Sequence, residues 1–448
     1  MIKIYSNNSF TREKQYVFNF VFADQLCLDY ELEFGDYCDY KIVNDNKSIT
    51  IRDCFFSKFR DDEKYYLDIA NIPSKLVSAN IPTMGFDNLP IIFGDDELKY
   101  EADNCFCGND IFAGIYFMLT RWEEIAIKDR DRHDRVEEKD LLSIRFNFYK
   151  RPIVNEYIHF LRGLIESYFG FKIDIQKKFK AHVTHDVDDV FRYKNIKSLA
   201  KACAGDLLKR KSVRTAFKSI GDYYQINFKS QPDVWDRFDY LMNLSETNNL
   251  RSSFYFIPGK IGEYDVRFDI DDPNIIAIIK KILSRGHTVG IHPSYSSYCN
   301  LPQLKQELLR LKKYTPEISE GRQHYLRFKN PMTWNDWADA GLKIDSSIGF
   351  ASVTGFRAGV CCEYKVFDVV ARHQIDLVER PLIVMDTALR VENISKEKSI
   401  EAALLLLNQT KKYDGDFVLL WHNNNLSINE WESWSGVYSK IVSNLKTD

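Results

Sequence analysis

Two short runs of this sequence place acids and imidazoles where apolar segments end. The first is Thr184-His185-Asp186-Val187-Asp188-Asp189, directly after the apolar Ala181–Thr184. A carboxylate cluster at a strand end is costly unless it binds a cation, caps a helix or handles protons. Taken alone, an Asp-rich turn capping the next helix explains it equally well. The second run is Arg285-Gly286-His287-Thr288-Val289-Gly290-Ile291-His292-Pro293-Ser294-Tyr295-Ser296. It reads as a helix end, a glycine stop, a short strand and then His292 at the strand's C-terminal edge. A lone histidine there is an ordinary hydrogen-bonded polar residue. Sharing one cleft with the Asp cluster it becomes a metal ligand, because neutral imidazole and carboxylate are standard zinc donors.

Further chemistry-bearing residues follow. Arg322, His324 and Arg327 lie in Arg322-Gln323-His324-Tyr325-Leu326-Arg327-Phe328, and His422 ends Val418-Leu419-Leu420-Trp421-His422. Asp345 opens Asp345-Ser346-Ser347-Ile348-Gly349-Phe350, and Arg357 sits between glycines in Gly355-Phe356-Arg357-Ala358-Gly359. Both segments are ordinary turns or substrate loops; a guanidinium between glycines can approach an anionic sugar or a catalytic carboxylate. Trp421, Trp431 and Trp434 flank His422 and suit either core packing or stacking on a sugar ring. Neither a G-x-S-x-G nucleophile elbow nor a Walker-type phosphate loop occurs.

These residues need elements to hold them. From Lys178 onward short apolar segments alternate with helical stretches: Ala181–Thr184, Ser253–Ile257, Thr288–Ile291, His324–Phe328, Leu377–Val378 with Leu382–Val384, and Phe417–Trp421. Such alternation predicts an α/β barrel or a doubly wound sheet, with chemistry at the C-terminal strand ends. Residues 191–231 interrupt it. Within 191–220 nine Lys or Arg face one acid, Asp206, at amphipathic spacing. This predicts a helical excursion with a solvated basic face or, as a sharper alternative, a lid or peripheral docking surface for an anionic glycan or a membrane face. Residues 1–145 read as a smaller mixed α/β domain, with strands at Val17–Phe22, Ile49–Ile51 and Pro90–Phe93. A helix over Asp110–Glu124 is capped by Asp110, and Asp129–Arg135 (DRDRHDR) reads as a solvated loop.

Residues 178–448 resemble the polysaccharide deacetylase (NodB-homology) family. Its T-F-D-D-G-like strand end is similar to Thr184–Asp189, its A-T-F-F-V-like strand to Ser253–Ile257, and its G-H-E-I-G-x-H segment to Gly286–His292. An arginine-bearing strand end has a candidate at Arg322–Phe328, and the last strand with its histidine at Val418–His422. The resemblance implies an α/β fold, a distorted (β/α) barrel, preceded here by the smaller domain. It implies a metal-dependent hydrolase that removes an acetyl group, N-acetyl above all, from a carbohydrate in surface-polysaccharide metabolism. Carried over residue by residue, Asp186 is the general base, Asp188 and His292 hold a divalent ion such as zinc, and His422 is the general acid. Arg322 or Arg327 orients the base, and Arg357, Asp345, Trp421 and Tyr295 fall in substrate-binding positions. The family places a second histidine four residues after the first, where this chain has Ser296. His324 is the predicted replacement ligand, or else a support for Asp186 or the substrate; His185 is a second candidate, although strand alternation points it away from Asp186. The Asp spacing also differs, so which of Asp186, Asp188 and Asp189 is base or ligand stays open. A non-sugar amide hydrolase and an inactive glycan-binding module are the rival readings. The first 145 residues resemble the accessory domain of Bacteroides-type surface-polysaccharide proteins.

Composition bounds the remaining choices. The 448 residues are 45% hydrophobic and 28% charged with a net charge of −3, so no basic footprint argues for nucleic acid. The apolar runs Ile111–Leu119 and Ala402–Leu407 are far shorter than the ~20 residues of a membrane span. The N-terminus lacks the basic and apolar regions of a signal peptide, and nine cysteines without a pairing pattern suit reduced thiols, so a cytoplasmic location is expected.

Overall fold

The computed structural model describes residues 2–59, 65–260, 262, 264–265, 268–393, 395–426, 431 and 434–446. It is a mixed α/β protein with three sheets. The N-terminal part holds β1 (Ile2–Asn7), β2 (Tyr30–Gly35), β3 (Tyr40–Asn44), β4 (Lys47–Ile51), β5 (Val77–Ile81), β6 (Phe86–Ile91), β7 (Gly94–Tyr100) and β8 (Asn104–Asn109). Six of them form a sheet in the order β2-β1-β3-β4-β8-β7, and β5 pairs with β6. Val17–Phe22, expected as a strand, is helical: the α-helix Thr11–Phe18 runs on into a π-helix over Asn19–Gln25. Val17, Phe18, Phe20, Val21 and Phe22 are all buried. An apolar run buried on every side carries no period that separates strand from helix.

The C-terminal part is built on β9 (Lys180–Val187), β10 (Ser252–Phe256), β11 (Thr288–Ile291), β12 (Glu320–Gly321), β13 (Ile344–Asp345), β14 (Tyr364–Asp368), β15 (His373–Glu379), β16 (Val384–Met385) and β17 (Asp416–Leu420). Their order is β14-β15-β13-β12-β11-β10-β9-β17-β16, and all pairs but β14–β15 are parallel. The ladders do not close into a barrel among the described residues. Residues 380–383 cross between the two sides instead: Arg380 and Leu382 N–H donate to Asp345 and Ile348 O, and Ile383 N–H donates to Val418 O. Parallel pairing aims the C-terminal ends of β9, β11, β12 and β17 at one edge, which is why distant sequence segments can share a cleft. His324–Phe328, expected as a strand, is a 3₁₀ turn at His324–Leu326, and only Glu320–Gly321 before it is extended. Gly321 is required there: a Cβ would lie 2.0 Å from Ile291 O.

The helix Ile111–Leu119 is buried along its whole length, and its Asp110 cap accepts from Ala113 N–H at 3.0 Å as the sequence suggests. It ends at Leu119 rather than running on to Glu124: a turn with Arg121 at φ 50° breaks it, and the short helix Glu123–Ala126 that follows places Glu124 in a fully buried ion pair between the N- and C-terminal parts. Arg357 donates from Nε and Nη2 to the two Glu124 oxygens at 3.0 Å each, and Arg121 Nε adds a bond at 2.9 Å. Burial alone raises the Glu124 carboxyl, but Arg357 and Arg121 outweigh it and hold the pKa at about 2. The guanidinium expected to meet substrate is thus spent on joining the two parts. Removing one partner of a buried pair strands the other charge at a cost of about 3–5 kcal/mol. Because Arg121 still pairs with Glu124, Arg357→Met is expected to lower the unfolding free energy in urea titration by up to that amount. An unchanged midpoint in Arg357→Met would contradict the assignment.

Candidate metal centre and cleft

Asp186 is the penultimate residue of β9 and is buried. Arg322 Nη1 donates to its Oδ1 at 2.8 Å and to Thr184 Oγ1 at 3.0 Å, while Nε and Nη2 donate to Ser346 O and Oγ at 2.9 Å. The guanidinium is fully buried and lies over the Tyr255 ring, 5.2 Å from its centre. Burial raises the Asp186 carboxyl, but Arg322, His292 and His422 outweigh it, so the group sits below its ordinary range and is ionised.

Three imidazoles approach Asp188 in the same way. His292 Nδ1 donates to Arg322 O at 2.6 Å, His324 Nδ1 faces Asp265 Oδ1 at 3.2 Å, and His422 Nδ1 faces Asp386 Oδ1 at 2.8 Å. A carbonyl or carboxylate partner makes each Nδ1 the donor, which leaves Nε2 with the lone pair in the neutral ring. Each Nε2 then points at Asp188: 3.6 Å for His292 and 3.8 Å for His324, both to Oδ1, and 3.7 Å for His422 to Oδ2. Burial lowers the His292 pKa, favouring the neutral ring that ligation needs.

Asp188 Oδ1 is buried yet has no hydrogen-bond partner. Orphaned buried carboxylate oxygens are rare and call for an explanation. Asp188, His292 and His324 offer one ligand atom each, all within 4.8 Å of one another. Donors ~2.0–2.2 Å from one zinc ion in a tetrahedron stand roughly 3.4 Å apart, so these separations suit a shared cation better than direct contact. This His₂Asp set could hold a metal.

His422 behaves differently. Burial opposes its charge, but Asp386, Asp188 and Asp186 outweigh it and raise its pKa to about 10. Asp386 also accepts from the His422 N–H at 2.9 Å and from Asn425 Nδ2 at 3.1 Å, fixing the loop after β17.

The cleft over these residues measures about 320 Å³ and is lined by Arg132, His133, Arg135, Asp186, Asp188, His292, His324, Tyr325, Leu326, Ala351, Met385, Thr387, Leu420 and His422. The loop expected to be solvated therefore forms one wall. Arg327 Nε donates to His133 O and Arg135 Nη1 to Tyr325 O, both at 2.8 Å, drawing Asp129–Arg135 onto the turn that carries His324. That turn is strained: Tyr325 and Leu326 both have positive φ, 61° and 52°, which non-glycine residues adopt only under constraint.

The cleft brings together Asp186, Asp188, His292, His324 and His422, with Arg322 directly behind. Arg357, Asp345 and Trp421 do not line it. Asp345 is fully buried and bonded to Ser347, and burial pushes its carboxyl up to about 7. Trp421 is fully buried and donates from Nε1 to Asn425 O at 3.0 Å. Tyr295 is half-buried beside the wall, stacked on Tyr264 and 3.2 Å from His133 Nδ1 through its hydroxyl. His185 points away, bonded to Trp421 O at 2.7 Å, and burial lowers its pKa to about 4. Ser296 is exposed and its hydroxyl is 3.1 Å from that of Ser294. Sequence reasoning missed Asp265, Asp386 and the Arg132–Arg135 wall. Asp386 directly follows the short apolar β16, the one local signal that could have found it.

A model of a family of unknown function (DUF7033) matches residues 2–170. No curated protein matches the chain. Among solved structures, a protein from Mycobacterium smegmatis described as a putative polysaccharide deacetylase is similar at 16% identity with a TM-score of 0.37, over 61% of this chain and 86% of that one. Among the described residues no helix is long and apolar enough to cross a membrane.

If His324 is a ligand, His324→Ala should weaken zinc binding by calorimetry at least ~10-fold, the scale already reached when only an orienting partner is lost. Ser296→His should not restore it, since position 296 faces solvent. Unchanged affinity in His324→Ala would leave His324 only a supporting role.

Proposed function

We propose that this chain is a metal-dependent hydrolase that removes an acetyl group, N-acetyl above all, from a carbohydrate, with zinc as its ion. The observation that carries the reading is the convergence in one cleft of three roles: a His₂Asp ligand set, an ionised Asp186 clamped by Arg322, and a His422–Asp386 pair that keeps its proton. Asp188, His292 and His324 would hold the ion. When bound, it would supply Lewis acidity to the acetyl carbonyl and to the attacking water.

The chain's own groups account for the proton movements. Arg322 occupies Asp186 Oδ1, which leaves Oδ2, 3.7 Å from His292 Nε2, to accept the proton of the attacking water. As the water oxygen bonds to the acetyl carbon, the C–N bond breaks. His422, whose charged form the adjacent Asp386 favours, gives its proton to the leaving nitrogen, so acetate and a free amino sugar result. Asp386 fixes the ring and stabilises its charge before transfer. Tyr325 offers an aromatic ring to a sugar, and Arg132 and Arg135 in the loop packed beside it favour a substrate that carries negative charge.

Asp186→Asn keeps the shape but cannot take the proton. With an N-acetylated oligosaccharide and zinc, acetate release should fall at least ~10²-fold in kcat, the usual worth of a general base, while zinc affinity persists. Near-normal turnover in this variant would refute the role of Asp186. No acetate release by the parent from any acetylated sugar would refute the reaction.

A further inference from the structure

We propose that the helical hairpin Ile196–Lys229 docks this protein on an anionic lipid surface. Its second helix, Val213–Lys229, is built the wrong way round for a soluble protein. Val213, Phe217, Ile220, Tyr224 and Phe228 are all exposed, with Phe217 at 70% and Phe228 at 68%, whereas the buried positions are only Ala216 and Ser219. Spacings of four, three, four and four residues put the five apolar side chains within roughly 80° of arc at 100° per residue. The first helix, Ile196–Leu208, adds exposed Ile196, Leu207 and Leu208, the last at 78%. A contiguous apolar face of this kind marks an interaction site.

Charge selects the occupant. Of the nine Lys or Arg in residues 191–220, Lys197, Lys201, Lys209, Lys211 and Arg214 are exposed around this face. The single acid, Asp206, is buried between the helices, where it accepts from Ser219 Oγ at 2.7 Å and Arg210 Nη1 at 3.2 Å. The hairpin is thereby pre-formed; its other acid, Asp222, is half-buried near Arg192 and Arg237 and lies across the second helix from the apolar face. A second copy would meet like charge, and a soluble polyanion would leave the aromatic stripe in water. An interface that takes apolar side chains beneath a layer of anionic headgroups satisfies both features at once.

The hairpin is rooted at the cleft. It leaves the sheet just after Asp188-Asp189, and Asp233 clamps its base by accepting from Arg192 and Tyr193 N–H at 2.9 and 3.0 Å. Asn423, next to His422, donates to Asp189 O and Trp235 O on the two stems. Docking would therefore bring the reactive edge of the sheet to the lipid surface. This inference stands independently of the proposed reaction.

The test is sedimentation of the full chain with vesicles of phosphatidylcholine, alone or mixed in equal parts with phosphatidylglycerol, at low and high salt. Binding should require phosphatidylglycerol and weaken with salt. Phe217→Ser/Phe228→Ser and Lys209→Glu/Lys211→Glu/Arg214→Glu change exposed side chains only, and each should reduce binding at least ~10-fold with the thermal unfolding midpoint unchanged. Failure of the parent to sediment with the anionic vesicles would overturn the proposal, as would equal binding by the folded variants. A concentration-dependent dimer abolished by the phenylalanine pair, without vesicle binding, would assign the face to a second copy instead.

Discussion

Three imidazoles converge on the Asp188 carboxylate and stop 3.6–3.8 Å short of it, too far for a hydrogen bond. Every ring is held back by its own Nδ1 partner, so the gap is imposed by the surrounding structure. Asp188 Oδ1 is left buried and unpaired at the centre. A buried acceptor atom without a partner calls for an explanation, and a cation held between Oδ1 and the imidazoles supplies one. The reading of the cleft as a metal centre depends on this gap.

Arg322 is what lets the arrangement exist. Its carbonyl orients His292 and its guanidinium pins Asp186, so one residue fixes both side chains at the cleft. Its remaining donors reach Ser346, which ties the ends of β9, β12 and β13 together. Asp345 and Glu379, both buried and both raised by that burial, lie behind it as a buttress. Gly321 permits the close approach to Ile291 that positions the Arg322 backbone, whose N–H donates to Ile291 O at 3.0 Å.

Much of this was legible in the sequence. β9, β10, β11 and β17 fall where their apolar runs predict, because parallel strands buried on both faces carry continuous apolar runs. Asp186, Asp188, His292 and His422 could be singled out because polar residues directly after such runs are costly. The polar reach of Arg322–Phe328 was legible too, but its shape was not: alternation suggested a strand, whereas long-range bonds from Arg135 and Arg327 hold a left-handed turn. Asp265, Asp386 and the Arg132–Arg135 wall were hidden because their roles come from partners far along the chain. Arg357 illustrates the opposite error. Its glycine neighbours suggested an approach to substrate, and tertiary pairing with Glu124 decided otherwise.

The two parts of the chain therefore share the site rather than merely adjoin it. One buried cluster of side chains runs from Ile2 to Leu445, and the N-terminal part contributes a wall of the cleft. The central claim, that Asp188, His292 and His324 hold one ion, is tested most directly by anomalous diffraction at the zinc edge from zinc-soaked crystals. The account predicts a single strong peak within ~2.3 Å of an Asp188 oxygen and of Nε2 of both His292 and His324. A peak that excludes His324, or no peak in this cleft at full soaking, would contradict it.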